Sequence, residues 1–284
     1  KKKELDNFTV YNFTLNDNFT DIIEDIAEKK NYSACVFDLY PSYCSSNLYE
    51  MFSRLKQHNI RLVTIDSLIE YEDILDLIWI PSFYFDAKQH RTSSNKFQFG
   101  WNNYLIQKRC RTGGWQPGSK ILILTGGSDI SELGKTLPNQ IDESLNKNFE
   151  INWVRGPFSC QPTLPKKPRL TWNIHYAPDY LDELIVQSDY AMTVYGVSLF
   201  EVLQYGVPVV TFSPYGDKDD VELEALSKEG VAMVAGNSRS AIDRLTELMN
   251  NDELAKQLSK KSLKIMSNNG AKNLSSEIYS LIGF

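Results

Sequence analysis

Cysteine is scarce in this chain of 284 residues: Cys35, Cys44, Cys110 and Cys160 are the whole set, and none form a C-x-x-C pair. That excludes a disulfide-stapled scaffold and reads as the reduced thiols of a cytoplasmic protein. Histidine is scarcer still, with three residues, and no spacing of His, Cys, Asp and Glu suggests a metal site. Basic residues are in deficit, 30 against 36 acidic, and a formal charge of −6 supplies no global positive field to hold a nucleic acid. No apolar run reaches the ~18–20 residues of a membrane-spanning helix. Lys1-Lys2-Lys3 leads into Glu4, Asp6 and Asn7, not into an apolar leader, which predicts neither export nor membrane insertion. The Asn-x-Ser/Thr triplets at Asn7, Asn12, Asn18, Asn31 and Asn273 then read as chance in an Asn-rich chain. Position 1 is not methionine, so a fragment or a processed chain is expected.

What remains is the composition of an ordinary globular protein, 42% hydrophobic, 23% charged and 12% aromatic. At about 150 residues per domain the length suggests roughly two domains. Short β-branched runs alternate with stretches of helical spacing, as they do in a parallel sheet with crossover helices, so the predicted class is α/β. Strands are expected at 8–13, 34–39, 61–65, 75–80, 120–125, 150–154, 170–174, 190–194, 207–212 and 231–234. Helices are expected at 18–30, 46–57, 181–187, 199–205, 221–229, 238–250 and 252–267. Periodicity fails from 82 to 118, a polar stretch broken by Gly113-Gly114 and Pro117-Gly118. A boundary there predicts an N-terminal domain over 1–110 and a C-terminal one over 111–284. The run 162–168, rich in proline, reads as a loop beside a strand.

Two motifs could carry chemistry. In the first, the apolar strand Ile121-Leu122-Ile123-Leu124-Thr125 breaks into Gly126-Gly127-Ser128-Asp129 and a helix is expected to follow. Glycines there let backbone approach a ligand, and free N–H groups at a helix start suit phosphate oxygens. The same residues would equally make a tight turn with Ser128 or Asp129 as N-cap. In the second, the strand ending at Val194-Tyr195 runs into Gly196-Val197-Ser198-Leu199-Phe200-Glu201, and Gly206-Val207-Pro208 stops the helix. A carboxylate at Glu201, expected on the first turn, could accept both hydroxyls of a ribose, or merely complement the helix dipole. Two such loops at the open end of one parallel sheet can face a single crevice, which suits a nucleoside diphosphate.

The order Gly-Gly-Ser-Asp after a strand, then Asp189-x11-Glu201 through a Gly-x-Ser turn with Phe200 before the acid, then Gly-x-Pro, resembles the C-terminal half of the PseG/SpsG group of UDP-sugar enzymes, relatives of MurG. Looser matches precede it: Phe37-Asp38-Leu39-Tyr40, the strand 61–65 with Asp66, the run 73–80 containing Asp76, and Gly100-Trp101-Asn102-Asn103-Tyr104-Leu105-Ile106. The resemblance implies a GT-B-like fold of two Rossmann-type domains. It implies that Gly126, Gly127, Ser128, Gly196, Val197 and Ser198 line the diphosphate, that Glu201 holds the ribose, and that the main chain at Tyr176-Ala177 meets the uracil. Such proteins begin with a βαβ unit whose first loop is Gly-rich and carries a His, and this chain has no such loop. Either the true N-terminus lies upstream of Lys1, or this is a diverged binder of a nucleotide sugar without the usual chemistry.

His58 and His90 sit in polar surroundings and read as solvated. His175, at the end of a strand before Tyr176, borders the expected nucleotide pocket and is a weak candidate for a catalytic base, as is Asp217 of the acidic run 217–220, with Asp219 beside it. The first functional expectation is hydrolysis of the anomeric C–O bond of a UDP-linked amino sugar with release of UDP, in bacterial surface-glycan or nonulosonic-acid synthesis. The alternative is a GT-B glycosyltransferase with a sugar, lipid or protein acceptor, and a third reading is a non-catalytic nucleotide-sugar binder. No cofactor, metal or nucleic-acid partner is expected.

Overall fold

The computed structural model describes residues 9, 19–39, 48–86, 95–146, 148–266 and 269–283. The expected strand at 8–13 (Thr9 excepted), Tyr40, Cys44, His90 and the triplets starting at Asn7, Asn12 and Asn18 lie outside them. The chain divides into two compact units, Lys1–Asn103 with Gly270–Phe284, and Tyr104–Asn269.

In the first unit, β1 (Ala34–Phe37), β2 (Arg61–Ile65), β3 (Leu77–Trp79) and β4 (Phe97–Gln98) form a parallel sheet in sequential order. Successive strand residues face opposite ways. Leu62 and Ile78 therefore join the core under α1 (Phe19–Lys30) and α2 (Leu48–Gln57), where Met51, Phe52 and Leu55 recur at helical spacing. Val63, Leu77 and Trp79 face the other way and are covered by Leu274 of the closing helix α9 (Gly270–Ile282).

The second unit holds six parallel strands: β5 (Lys120–Leu124), β6 (Glu150–Arg155), β7 (Thr171–Tyr176), β8 (Tyr190–Val194), β9 (Val209–Phe212) and β10 (Met233–Val234). Their order is β10-β9-β8-β5-β6-β7. The chain builds outward from β5 to one edge, then returns to β8 on the other side of β5 and builds outward again. That reversal between β5 and β8 is a topological switch point, where the loops leaving two adjacent parallel strands diverge and open a crevice at their carboxyl ends. Ile121, Ile123, Tyr190 and Met192 pack one face against Leu137 and Ile141 of α3 (Leu133–Ser144) and Ala241, Leu245 and Leu248 of α7 (Ser238–Met249). The remaining helices are α4 (Asp182–Val186), α5 (Val197–Leu203), α6 (Asp220–Glu229) and α8 (Asp252–Ile265).

The expected class holds, and the differences have physical causes. Neither β4 nor α9 is among the expected elements. The helix α3 starts at Leu133 rather than directly after the glycines, and it contains Pro138. Proline lacks the N–H that the Gly134 carbonyl would accept. That carbonyl instead accepts the Thr163 N–H at 2.8 Å, so the proline-rich loop docks on the helix. The units part seven residues before the expected boundary, and the last helix returns to the first unit. Tyr104 stacks on Phe200 at 4.1 Å between ring centroids, Lys108 Nζ donates to the Gln204 carbonyl at 2.9 Å, and the Arg109 and Cys110 N–H groups donate to the Tyr205 hydroxyl. These contacts tie 104–110 to the second unit.

Candidate functional site

The loops leaving β5 and β8 line one cavity of about 210 Å³, with Pro214 and Tyr215 after β9 completing its wall. Gly126, Gly127, Ser128, Gly196, Val197 and Ser198 all line it. Gly126 has φ +86°, and Gly196 has φ +152° with ψ −171°, a conformation essentially reserved for glycine. The Gly127 carbonyl accepts the Phe158 N–H at 3.0 Å, and a Cβ added to Gly156 would stand 2.2 Å from that oxygen. The turn leaving β6 therefore braces the glycine loop by backbone contact. Among the described residues no group accepts the N–H of Gly126, Gly127 or Ser128. Across the cavity, Ser131 Oγ donates to the Pro214 carbonyl at 2.7 Å and joins the β5 and β9 loops.

Asp129 favours the capping alternative over a free helix start. Its carboxylate accepts the N–H groups of Leu133 and Gly134 at 3.0 and 2.8 Å, so the first turn of α3 is capped by the protein itself. The anion-accepting donors on this side are those of the glycine loop, not those of a helix start. Burial raises the Asp129 pKa and the two backbone donors oppose the rise.

Glu201 also differs from expectation. The helix α5 begins at Val197, which puts Glu201 one turn in, and no acid lies in its first turn. Helical side chains lean back toward the N-terminus. Glu201 thereby reaches the hydroxyl of Ser198, three residues earlier, and Ser198 lines the cavity. The half-buried carboxyl has its pKa raised by burial and by the Asp182 charge, against the opposing pull of Arg109 and Ser198. Asp182 is itself held by the Tyr205 hydroxyl and by the Arg109 N–H and guanidinium, the latter two at 3.3 Å. Burial raises its pKa, but these hydrogen bonds outweigh burial and keep it below the usual value. The Tyr205 phenol is pushed up to about 12 by burial and by its hydrogen bond to Asp182.

His175, Tyr176 and Ala177 lie at the end of the edge strand β7, separated from β5 by β6, and none lines the cavity. His175 Nε2 bonds Asn152 Oδ1 at 3.0 Å, Tyr176 lies under the Arg155 guanidinium at 4.6 Å, and the Ala177 N–H donates to the Arg155 carbonyl at 2.8 Å. Asp217 sits in the short helical turn Gly216–Asp219 after β9, exposed and outside the cavity lining, while Asp219 accepts from Ser213 Oγ at 2.6 Å. Asp189 stands at the other end of β8 from Glu201. Its carboxylate accepts the Lys120 N–H at 2.8 Å, and the 11 residues between it and Glu201 span the strand from a structural lock to the site.

Sequence reading gave no role to Thr125, Tyr195, Ser131 or Tyr215, all of which line the cavity. Thr125 and Tyr195 adjoin the glycines and could have been found from that adjacency. Ser131 and Tyr215 meet only through tertiary structure. Among the described residues no group of three or more His, Cys, Asp or Glu side chains could hold a metal ion, and no helix is long and apolar enough to cross a membrane.

No family model matches the chain. A stretch of 175 residues is 27% identical to the UDP-N-acetylglucosamine–N-acetylmuramyl-(pentapeptide) pyrophosphoryl-undecaprenol N-acetylglucosamine transferase of Finegoldia magna, covering 57% of this chain and 47% of the relative. The matched stretch thus spans about half the length of that curated relative. The crystal structure of Acinetobacter baumannii MurG superposes with a TM-score of 0.63 at 14% identity, covering 92% of this chain and 77% of that one. A mutant of S. aureus TarM, solved with fondaparinux, α-GlcNAc-glycerol and UDP, gives 0.59 at 11% identity over 93% and 59%. The fold is that of the GT-B glycosyltransferases, two Rossmann-like units with parallel sheets.

Proposed function

We propose that this chain is a glycosyltransferase that takes a UDP-sugar as donor and a hydroxyl of a glycan, lipid or protein as acceptor. The observation that carries the reading is the shared cavity at the β5/β8 switch point, walled by two glycine-bearing loops, the first of which presents the unpaired N–H groups of Gly126, Gly127 and Ser128. At about 210 Å³ it is smaller than the roughly 300–1,000 Å³ of pockets that bury a whole drug-sized ligand. It suits one part of a nucleotide sugar, the diphosphate. Glu201, behind Ser198, takes the ribose, and the uracil lies against Tyr176-Ala177. When the anomeric C–O bond breaks, negative charge develops on the departing UDP, and fixed N–H and hydroxyl donors stabilise it without reorganising. His175 and Asp217 both lie outside the cavity and receive no catalytic role.

Hydrolysis, the first expectation from sequence, gains no support from the named relatives, which favour transfer. The Finegoldia magna relative is a UDP-N-acetylglucosamine-dependent transferase, and the TarM structure contains UDP. Incubation with UDP-N-acetylglucosamine and candidate acceptors separates the two: a new glycoside plus UDP supports transfer, and free sugar plus UDP without acceptor restores hydrolysis. UDP is also expected to protect the second unit against heat more than CDP or ADP at equal concentration, with a stabilisation over the ligand-free protein of about 2.7 kcal/mol at a hundred times its Kd. Equal shifts for the three nucleotides in a thermal melt would remove the uracil assignment.

A further inference from the structure

Buried hydroxyls and amides almost always have a hydrogen-bond partner, and each exception in a native fold calls for an explanation. Among the described residues the buried side-chain atoms without one belong to Glu72, Asn103, Thr125, Gln140, Gln204 and Thr211. Of these residues, Thr125 lines the cavity between the β5 and β8 loops. It is the last residue before Gly126, and it is 6% exposed. Thr193, opposite the neighbouring Leu124 in β8, provides a contrast: its hydroxyl donates to the Val194 carbonyl at 3.0 Å, although it is still more deeply buried. The strand end can therefore satisfy a threonine, and Thr125 is left unsatisfied where the cavity begins.

We propose that Thr125 is a ligand-binding residue whose hydroxyl donates a hydrogen bond to a phosphate oxygen seated at the base of the cavity. The proposal rests on the reading of the cavity as a diphosphate site, and adds to it a donor that neither glycine loop supplies. Rotation about χ1 carries the hydroxyl from one staggered position to another, so the buried oxygen can turn to a ligand at the cavity without moving the backbone. A phosphate suits the position better than a sugar hydroxyl because the adjoining groups are the unpaired N–H groups of Gly126, Gly127 and Ser128, donors that converge on an acceptor. The nearest acid of the lining, Asp129, is occupied by the N–H groups of Leu133 and Gly134.

Thr125→Val keeps the shape and removes the donor, and Thr125→Ser keeps the donor. UDP and inorganic pyrophosphate are the probes, measured by calorimetry on the full chain, with the melting temperature of each variant recorded without ligand. Thr125→Val is expected to weaken both probes about tenfold, the worth of one hydrogen bond to a charged oxygen. Its ligand-free melting temperature should be unchanged or higher, because an unpaired buried hydroxyl has been replaced by a methyl group. Thr125→Ser should stay within about threefold of the parent affinity, roughly 0.6 kcal/mol. Unchanged affinity for Thr125→Val beside a parent protein that binds both probes would overturn this inference alone. So would a lowered melting temperature with affinity intact, the mark of a hydroxyl held by structural water. Equal losses for Val and Ser would also overturn it, by assigning the effect to shape. A parent protein that binds neither probe would overturn the diphosphate reading and this inference with it.

Discussion

Glu201→Gln is expected to melt at a higher temperature than the parent at neutral pH while binding UDP about 30-fold more weakly. The two effects share one cause. Burial and the Asp182 charge raise the carboxyl's pKa in the folded state, with Arg109 and the Ser198 hydroxyl in partial opposition. The folded protein thus holds that proton to a higher pH than the unfolded chain does. Stability associated with Glu201 is present below the unfolded value and falls as pH rises through the folded one. Glutamine cannot ionise, so the variant escapes the loss, and the two melting curves should converge in acid. Binding pulls the other way. A carboxylate accepting ribose hydroxyls makes charge-assisted hydrogen bonds, and substituting the neutral amide forfeits about 2 kcal/mol, roughly 30-fold. Calorimetry and melts across pH 4–8 measure both. Unchanged UDP affinity removes Glu201 from the ribose, and a lower melting temperature at neutral pH means that the ionised carboxyl is well solvated by its neighbours.

Gly156→Ala is expected to cost about 2 kcal/mol of stability and at least tenfold in UDP affinity. Its added Cβ would lie 2.2 Å from the Gly127 carbonyl oxygen and 2.5 Å from both the carbonyl carbon and Cα of Gly127. Every one of these atoms is backbone, so no rotamer change relieves the contact. The turn cannot retreat freely, because Ser159 Oγ donates to the Gly156 carbonyl at 3.0 Å and Arg155 Nε to the Ser159 carbonyl at 2.8 Å. The glycine loop must shift, and with it the donors proposed for the diphosphate. Gly113→Ala and Gly114→Ala serve as controls, since an added Cβ meets nothing within 4 Å at either position and neither has a positive φ. They should remain within about 0.5 kcal/mol of the parent. Denaturant melts and UDP titration of the three variants decide it, and a Gly156→Ala protein as stable and as tight as the controls would mean that the turn and the loop adjust independently.

The parts of the site that depend on local pattern were legible in the sequence. An apolar run such as Ile121-Leu122-Ile123-Leu124 announces a strand buried on both faces, and the glycines that follow it announce a turn with unusual backbone angles. Both the β5 and β8 loops could be recognised in this way. Their facing one crevice was expected from the parallel-sheet class and the family resemblance, whereas the strand order that brings them together is set by where each crossover packs and leaves no mark on either loop. The same limit hid Gly156, whose need for a missing side chain arises from a backbone 29 positions earlier, and Ser131, whose partner is the Pro214 carbonyl. A helix after the first glycine loop was expected, although a proline such as Pro138 inside a helical pattern ordinarily ends it. The helix survives because Thr163 supplies the lost hydrogen bond. Glu201 was expected on the first turn because the helix was read as starting at Leu199, after the Gly-x-Ser turn, whereas the backbone enters the helix at Val197.

A crystal structure of the full chain with UDP bound measures the central claim most directly. The diphosphate oxygens should lie about 2.7–3.2 Å from an N–H of the Gly126–Ser128 loop and, in the same molecule, from an N–H or hydroxyl of Val197–Ser198. UDP bound with both loops unengaged, or with its phosphates held elsewhere on the second sheet, would contradict the account.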